Sequence, residues 1–285
     1  MPAPDPIQLA QVSDLLASIS SNYRSVVTLD VQGLEESPVL RGLVGPDRLG
    51  IPGIIPLDAS AILDAVAVAA TDGGQVTVMQ GNIDIASMLN LIGGFGIPID
   101  IPDPENYQGH QVWDIDILGI TLALGQADLS TAIFSSGSPT GRPAVAKVKE
   151  SLDAFDGTVP GFLSRPNAQR LLERLPSGFA AALLAECAEL GQIAAIIDIP
   201  GCAGGAISAE ITGAGEVTFY GLAAFEDETQ ASAALEIALE KVQEEDSLPF
   251  DEVAVGQEEE LIWTVVTVRS EKVAEALEAF ELFNE

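Results

Sequence analysis

The stretch KVKESLDAF, Lys147 to Phe155, returns near the C-terminus as KVAEALEAF, Lys272 to Phe280. The second copy differs only by Ala for Lys, Ala for Ser and Glu for Asp. In both, Val, Leu and Phe (Val148, Leu152, Phe155; Val273, Leu277, Phe280) recur at i, i+4 and i+7, one stripe of an amphipathic α-helix. Two shorter echoes keep the same order: GGQVTV (Gly73 to Val78) against AGEVTF (Ala214 to Phe219), and ALGQ (Ala123 to Gln126) against AVGQ (Ala254 to Gln257). Matches in one order over that distance predict a chain of two related halves.

The pattern around these markers fills in each half. Residues 1–25 read as an extended tether, MPAPDP, and a capping helix from about Gln8 to Ile19. The first copy covers 26–157. It opens with a strand at Val26 to Val31 and a short helix from Ser37 and Pro38 through Leu43. Gly45 to Asp58 follows as a Pro/Gly loop that either tucks over the core or offers Ile54 and Ile55 as a contact surface. Ala65 to Ala70 and Gln75 to Gln80 form a hairpin through Asp72-Gly73-Gly74, and Asp84 caps a helix running to Ile92. A strand begins at His110, and a second hairpin joins Ile120 to Gly125 with Leu129 to Phe134, before the first marker helix.

Residues 158–177 read as a connector with a short helix around Asn167 to Leu175. The second copy, 178–285, has strands at Gly178 to Leu184, Ala206 to Thr212 and from Glu216, then a helix capped by Asp227. The expected class is α+β: two tandem copies, each a mostly antiparallel sheet with helices on one face, of ferredoxin-like connectivity. Whether the copies share a sheet is left open.

Composition narrows the partners. Of 285 residues, 47% are hydrophobic, enough for real cores, while Asp and Glu number 43 against 12 Lys and Arg, a formal charge of −31. Such a surface repels a phosphate backbone, so nucleic acid is not an expected partner, and a cationic partner or cation is favoured. The most apolar stretch, Leu190 to Ala206, is interrupted by Asp198, Pro200 and glycines, so no membrane span is expected. The first residues lack the basic and apolar regions of a secretory signal.

Candidate site residues are few. Asp100, Asp103, Glu105 and Asn106 make an oxygen-rich loop of the kind calcium uses, without EF-hand spacing; calcium is the one cofactor the sequence invites. Tyr107, His110 and Trp113 are candidate ligand contacts at the start of a strand, although a core position is the ordinary fate of a strand Trp. His110 is the sole histidine, no G-x-S-x-G surrounds a serine, and no phosphate loop appears, so no catalytic residues are assigned. Asp114 and Asp116, on one strand face, are the only carboxylate pair worth naming for a hydrolase. Cys187 and Cys202 either form a disulfide, which belongs in an oxidising compartment, or stay as two buried thiols.

Three motifs follow one another along the chain: G-x-x-D at Gly81 to Asp84, Y-x-G-x-x-V-W at Tyr107 to Trp113, and L-P-S-G-F at Leu175 to Phe179. Their succession resembles uncharacterised extracytoplasmic, lipoprotein-like prokaryotic proteins. That resemblance implies a secreted or surface-tethered protein of unassigned role and carries over no active-site residues. The expectation is therefore a non-enzymatic extracytoplasmic binding or structural protein, meeting a protein or small-molecule ligand in the cleft between copies or on the long first-copy loops. A carboxylate-dependent hydrolase and a calcium-stabilised surface or assembly protein are the alternatives.

Overall fold

The computed structural model describes residues 1–36, 62–71, 74–94, 101–117, 120–137, 141–185, 201–212, 216–244, 250–269 and 272. The expected helix after Ser37, the loop after Gly45, the Asp72-Gly73 turn, Asp100, Cys187 and the second marker helix beyond Lys272 lie outside the described residues. The chain forms two compact units, one of Gln11–Gln32 with Ile55–Ser164, the other of Met1–Ala10, Gly33–Ile54 and Arg165–Glu285.

Helix α1 (Pro6–Ala17) begins inside the expected tether. Asp5 caps it by accepting the Ile7 amide at 2.7 Å, and Pro6 suits a first turn whose N–H has no partner. The helix buries Leu15 and Leu16 completely.

In the first unit the elements are β1 (Ser25–Asp30), β2 (Leu63–Thr71), β3 (Gly74–Gly81), α3 (Ile85–Gly94), β4 (Glu105–Tyr107), β5 (His110–Ile117), β6 (Ile120–Gln126), β7 (Thr131–Ser136) and α4 (Ala144–Phe155). The short helix α2 (Val31–Glu36) follows β1 directly, starting at the Val expected to end the strand. The strands lie in the order β1-β2-β3-β7-β6-β5-β4, with each neighbouring pair antiparallel. Strand β4 occupies a segment whose prolines and glycines argue against regular structure; its pairing with β5 fixes it.

Helices cover both faces of this sheet, not one. Trp113, Ile115 and Ala132 form a core with Ile83, Ile85 and Leu89, so α3 lies on the Trp113 face. The opposite face carries α4. A Cβ built on Gly125 would come within 2.6 Å of Val148 Cγ1, so only glycine lets the helix sit this close to β6. Alternate residues of a strand point to opposite faces, and here both faces are apolar, which is why β2 and β3 bury residues on each side.

The second unit contains α5 (Pro166–Arg174), β8 (Ala180–Leu184), β9 (Cys202–Thr212), β10 (Glu216–Phe225), α6 (Glu228–Glu244), β11 (Glu252–Glu258) and β12 (Leu261–Arg269). Its strand order is β8-β9-β10-β12-β11, again antiparallel throughout. Helix α6 packs Ala231 and Ala234 on Ala223, Phe225 and Ile262. Helix α5, read in sequence as a connector, covers the other face: the place of a Gly204 Cβ is 3.0 Å from Asn167 Cβ. Neither unit has ferredoxin-like connectivity. Each runs three antiparallel strands, a helix, then a hairpin returning beside the third strand, so every described neighbour is antiparallel and no βαβ crossover is needed.

Each unit holds a glutamine that ties a hairpin turn to the start of a helix. Gln126 Nε2 donates to Ile83 O at 3.1 Å and to Asp128 O, while its Oε1 accepts the Ile85 amide at 3.0 Å. It ties the β6–β7 turn to the start of α3. Gln257 Nε2 donates to Glu259 O at 2.8 Å and Glu228 O at 3.2 Å, and its Oε1 accepts the Ser232 hydroxyl at 3.0 Å. It ties the β11–β12 turn to the start of α6.

Candidate binding site

Strands β4 and β5 form an arm at the edge of the first unit. Its turn places Gln108 at φ 53° and Gly109 at φ 99°, the paired positive values of a tight hairpin, and Asn106 Oδ1 accepts the Gly109 amide at 3.2 Å. The arm lies along α4, against the row Lys149, Asp153 and Asp156, which helical spacing puts on one side.

Each contact is a side-chain pair. Lys149 Nζ donates to both Glu105 oxygens at 2.8 Å and stands 4.9 Å from the Tyr107 ring centroid. Tyr107 Oη donates to the Asp153 carboxylate, 3.1 Å from either oxygen, and Gln108 Nε2 donates to Asp153 Oδ1 at 2.9 Å. His110 Nε2 is 2.9 Å from Asp156 Oδ2, and its ring meets Phe155 edge to face at 6.1 Å. Partly exposed pairs of this kind contribute about 0–1 kcal/mol each, so the arm is held by many weak ties rather than by a core.

The sequence candidates divide here. Tyr107 and His110 face each other as direct partners across the hairpin and both engage α4. Trp113 points to the opposite face and is 3% exposed, enclosed by α3, which removes it from any surface for ligand. Glu105 is committed to Lys149, Asp103 is exposed, and among the described residues no group of three or more His, Cys, Asp or Glu side chains converges as a metal site. Asp114 and Asp116 are exposed on one side of β5. Cys202, at the start of β9, is disulfide-bonded.

The inner side of α4 holds polar groups that sequence reasoning misses. Lys147 is 2% exposed, and its ammonium donates to Ser136 O at 2.8 Å. Burial, with repulsion from Arg142, holds its pKa below the ordinary lysine range. Glu150 accepts Asn22 Nδ2 at 2.6 Å and pairs with Arg142. Burial works to raise the Glu150 carboxyl, but hydrogen bonds from Ser20, Asn22 and Arg142 outweigh it and hold it below the ordinary carboxylate range. Nearby Tyr23 is 1% exposed; burial and the Glu150 charge push its phenol up, so it stays neutral. The marker motif displays these residues in its letters, K-V-x-E-x-L, but an i, i+3 Lys–Glu spacing reads as a solvated helix face unless the neighbours are known.

Among the described residues no helix is long and apolar enough to cross a membrane. Fold and site together define an α+β protein with antiparallel sheets and a side-chain-bound hairpin arm. No family model and no curated protein matches the chain. A solved structure, crystal form IV of TP0453, is similar in fold, with a TM-score of 0.54 and 11% identity over 92% of this chain and 95% of that one.

Proposed function

We propose that the chain is a non-enzymatic, extracytoplasmic binding or structural protein built from two related halves, and that it meets its partner with the arm of β4 and β5. The relation between halves is supported by strand order: without the arm, β1-β2-β3-β7-β6 corresponds to β8-β9-β10-β12-β11, strand for strand. A helix follows the third strand in each, opened by an aspartate whose Oδ1 accepts an amide three residues on, Ser87 at 3.0 Å from Asp84 and Gln230 at 2.8 Å from Asp227. The bonding of Gln126 and Gln257 adds a third correspondence.

The observation that carries the functional reading is the arm itself. It is what the first half adds to the shared plan, and additions to a common scaffold are where function concentrates. Its tip exposes Gln108 and Gly109, while Tyr107 and His110 beside them are half-buried and hold the arm on α4. The disulfide at Cys202 supports an oxidising, extracytoplasmic compartment.

A photo-crosslinking residue placed at Gln108 in the source cells tests the arm, with the same residue at exposed Ile7 as control. A discrete adduct from position 108 alone is expected; identical patterns from both positions remove the arm from the account. Thiol trapping of the same cells is expected to find Cys187 and Cys202 oxidised, and full labelling of both without reductant would place the protein in a reducing compartment instead.

A further inference from the structure

In the first unit β6 is flanked on its outer side by β5, whereas β11, which takes the corresponding place in the second unit, has no described strand beyond it. The outer strands β4 and β11 differ in kind. Strand β4 has 3 residues and follows Pro102 and Pro104, a short edge guarded by residues that cannot extend a ladder. Strand β11 has 7 residues and no proline, and the N–H and C=O groups of its alternate residues line an edge that no described strand pairs with.

The packing around that edge is also incomplete. Aligned on Gly125-Gln126 and Gly256-Gln257, Val255 stands where Leu124 does. Leu124 is paired with Trp113, whose indole closes the apolar layer over Ile85 and Leu89 of α3. In the second unit Val255, Leu235 and Ala238 are only partly buried against their core, and Leu239 of α6 is 39% exposed. Among the described residues no bulky apolar side chain stands beyond Val255 on an outer strand as Trp113 stands beyond Leu124.

We infer that β11 accepts an antiparallel strand from a partner protein, seated as β5 is seated on β6, with an aromatic residue opposite Val255 and basic residues toward its ends. The inference rests on the relation between halves proposed above. Charge selects the occupant. The charged residues of β11 and its turn are Glu252, Glu258, Glu259 and Glu260, of which Glu258 is paired with Arg174 at 2.7 Å and Glu260 with Arg170 at 2.9 Å, and a two-fold pairing of β11 with a second copy about Val255 sets Glu252 opposite Glu258. Two chains each carrying −31 oppose that arrangement, whereas a lysine opposite Glu252 favours it. Strand addition of this sort draws its affinity from main-chain bonds and its selectivity from alternate side chains.

The probe is a labelled synthetic peptide of the His110–Ile117 sequence carrying Asp114→Lys and Asp116→Lys; in the transposed register position 116 falls opposite Glu252. Fluorescence anisotropy with the full-length chain is expected to show saturable binding, and hydrogen exchange to show new protection over Glu252–Glu258. The same peptide N-methylated on the amides facing β11 is expected to bind roughly tenfold more weakly or worse, since two main-chain bonds are lost without touching the protein. The unmodified Asp peptide is expected to bind more weakly than the Lys form. Equal binding of the N-methylated peptide, protection elsewhere, or a β11-mediated dimer of the free chain would overturn the inference. If the peptide does not bind although the two halves superpose, the inference falls alone; if the halves do not superpose, the relation between them falls whatever the peptide does.

Discussion

Glu150 sits within a shell of donors, and its ionisation couples the inner side of α4 to the loop after α1. Its pKa is lower in the folded chain than the 4.5 of a free carboxyl, so its contribution is fully present above about pH 4.5 and is lost as pH falls through the folded value. Glu150→Gln keeps the shape but leaves Arg142 without its anion. We expect a loss of about 2 kcal/mol at pH 7 by urea denaturation, shrinking as pH falls through the folded value and the wild-type carboxyl itself takes up a proton. A difference that stays constant with pH would show that packing, not charge, holds this residue. Trp113 gives the contrasting case. Truncation to Ala is expected to cost about 3–5 kcal/mol, as for other core aromatics, while His110→Ala costs no more than about 1 kcal/mol. Comparable losses from the two variants would contradict their assignment to core and surface. Alternation along β5 already separates these two residues in the sequence; what it does not tell is that the Trp113 face is roofed by α3, because that depends on a helix distant in the chain.

At the scale of elements, the hairpins, the two Asp-capped helices and the first marker helix are legible, because each rests on local spacing and on cap or turn residues. The ladder partners are less so. Nothing local in ITLALGQ says that β5 lies on one side of it and β7 on the other, and a Pro-rich approach hides β4 until its partner is known. The two glutamines show how an ordinary-looking residue becomes structural through context. Gln126→Ala removes bonds that join a turn to a helix start, and Gln257→Ala does the same in the other unit. Each substitution is expected to lower stability by about 1–3 kcal/mol. Native-state hydrogen exchange should rise first in α3 for one and in α6 for the other. If either variant leaves its helix untouched, the tie it makes is ornamental and that correspondence between halves is lost.

For the whole molecule, the repeated nine-residue motif motivates the duplicated plan proposed above, and the first unit carries two strands, β4 and β5, beyond the five described in the second. The charge of −31 bears on partners rather than on fold, disfavouring self-association and other anions. A crystal structure of the full chain, with its second half rotated onto its first, tests the central claim most directly. The account predicts that β8, β9, β10, α6, β11 and β12 superpose on β1, β2, β3, α3, β6 and β7, and that a helix over Lys272–Phe280 lies on the Gly256 face as α4 lies on Gly125. Strands that find no common rotation, or a C-terminal helix seated on the α6 face, would contradict it.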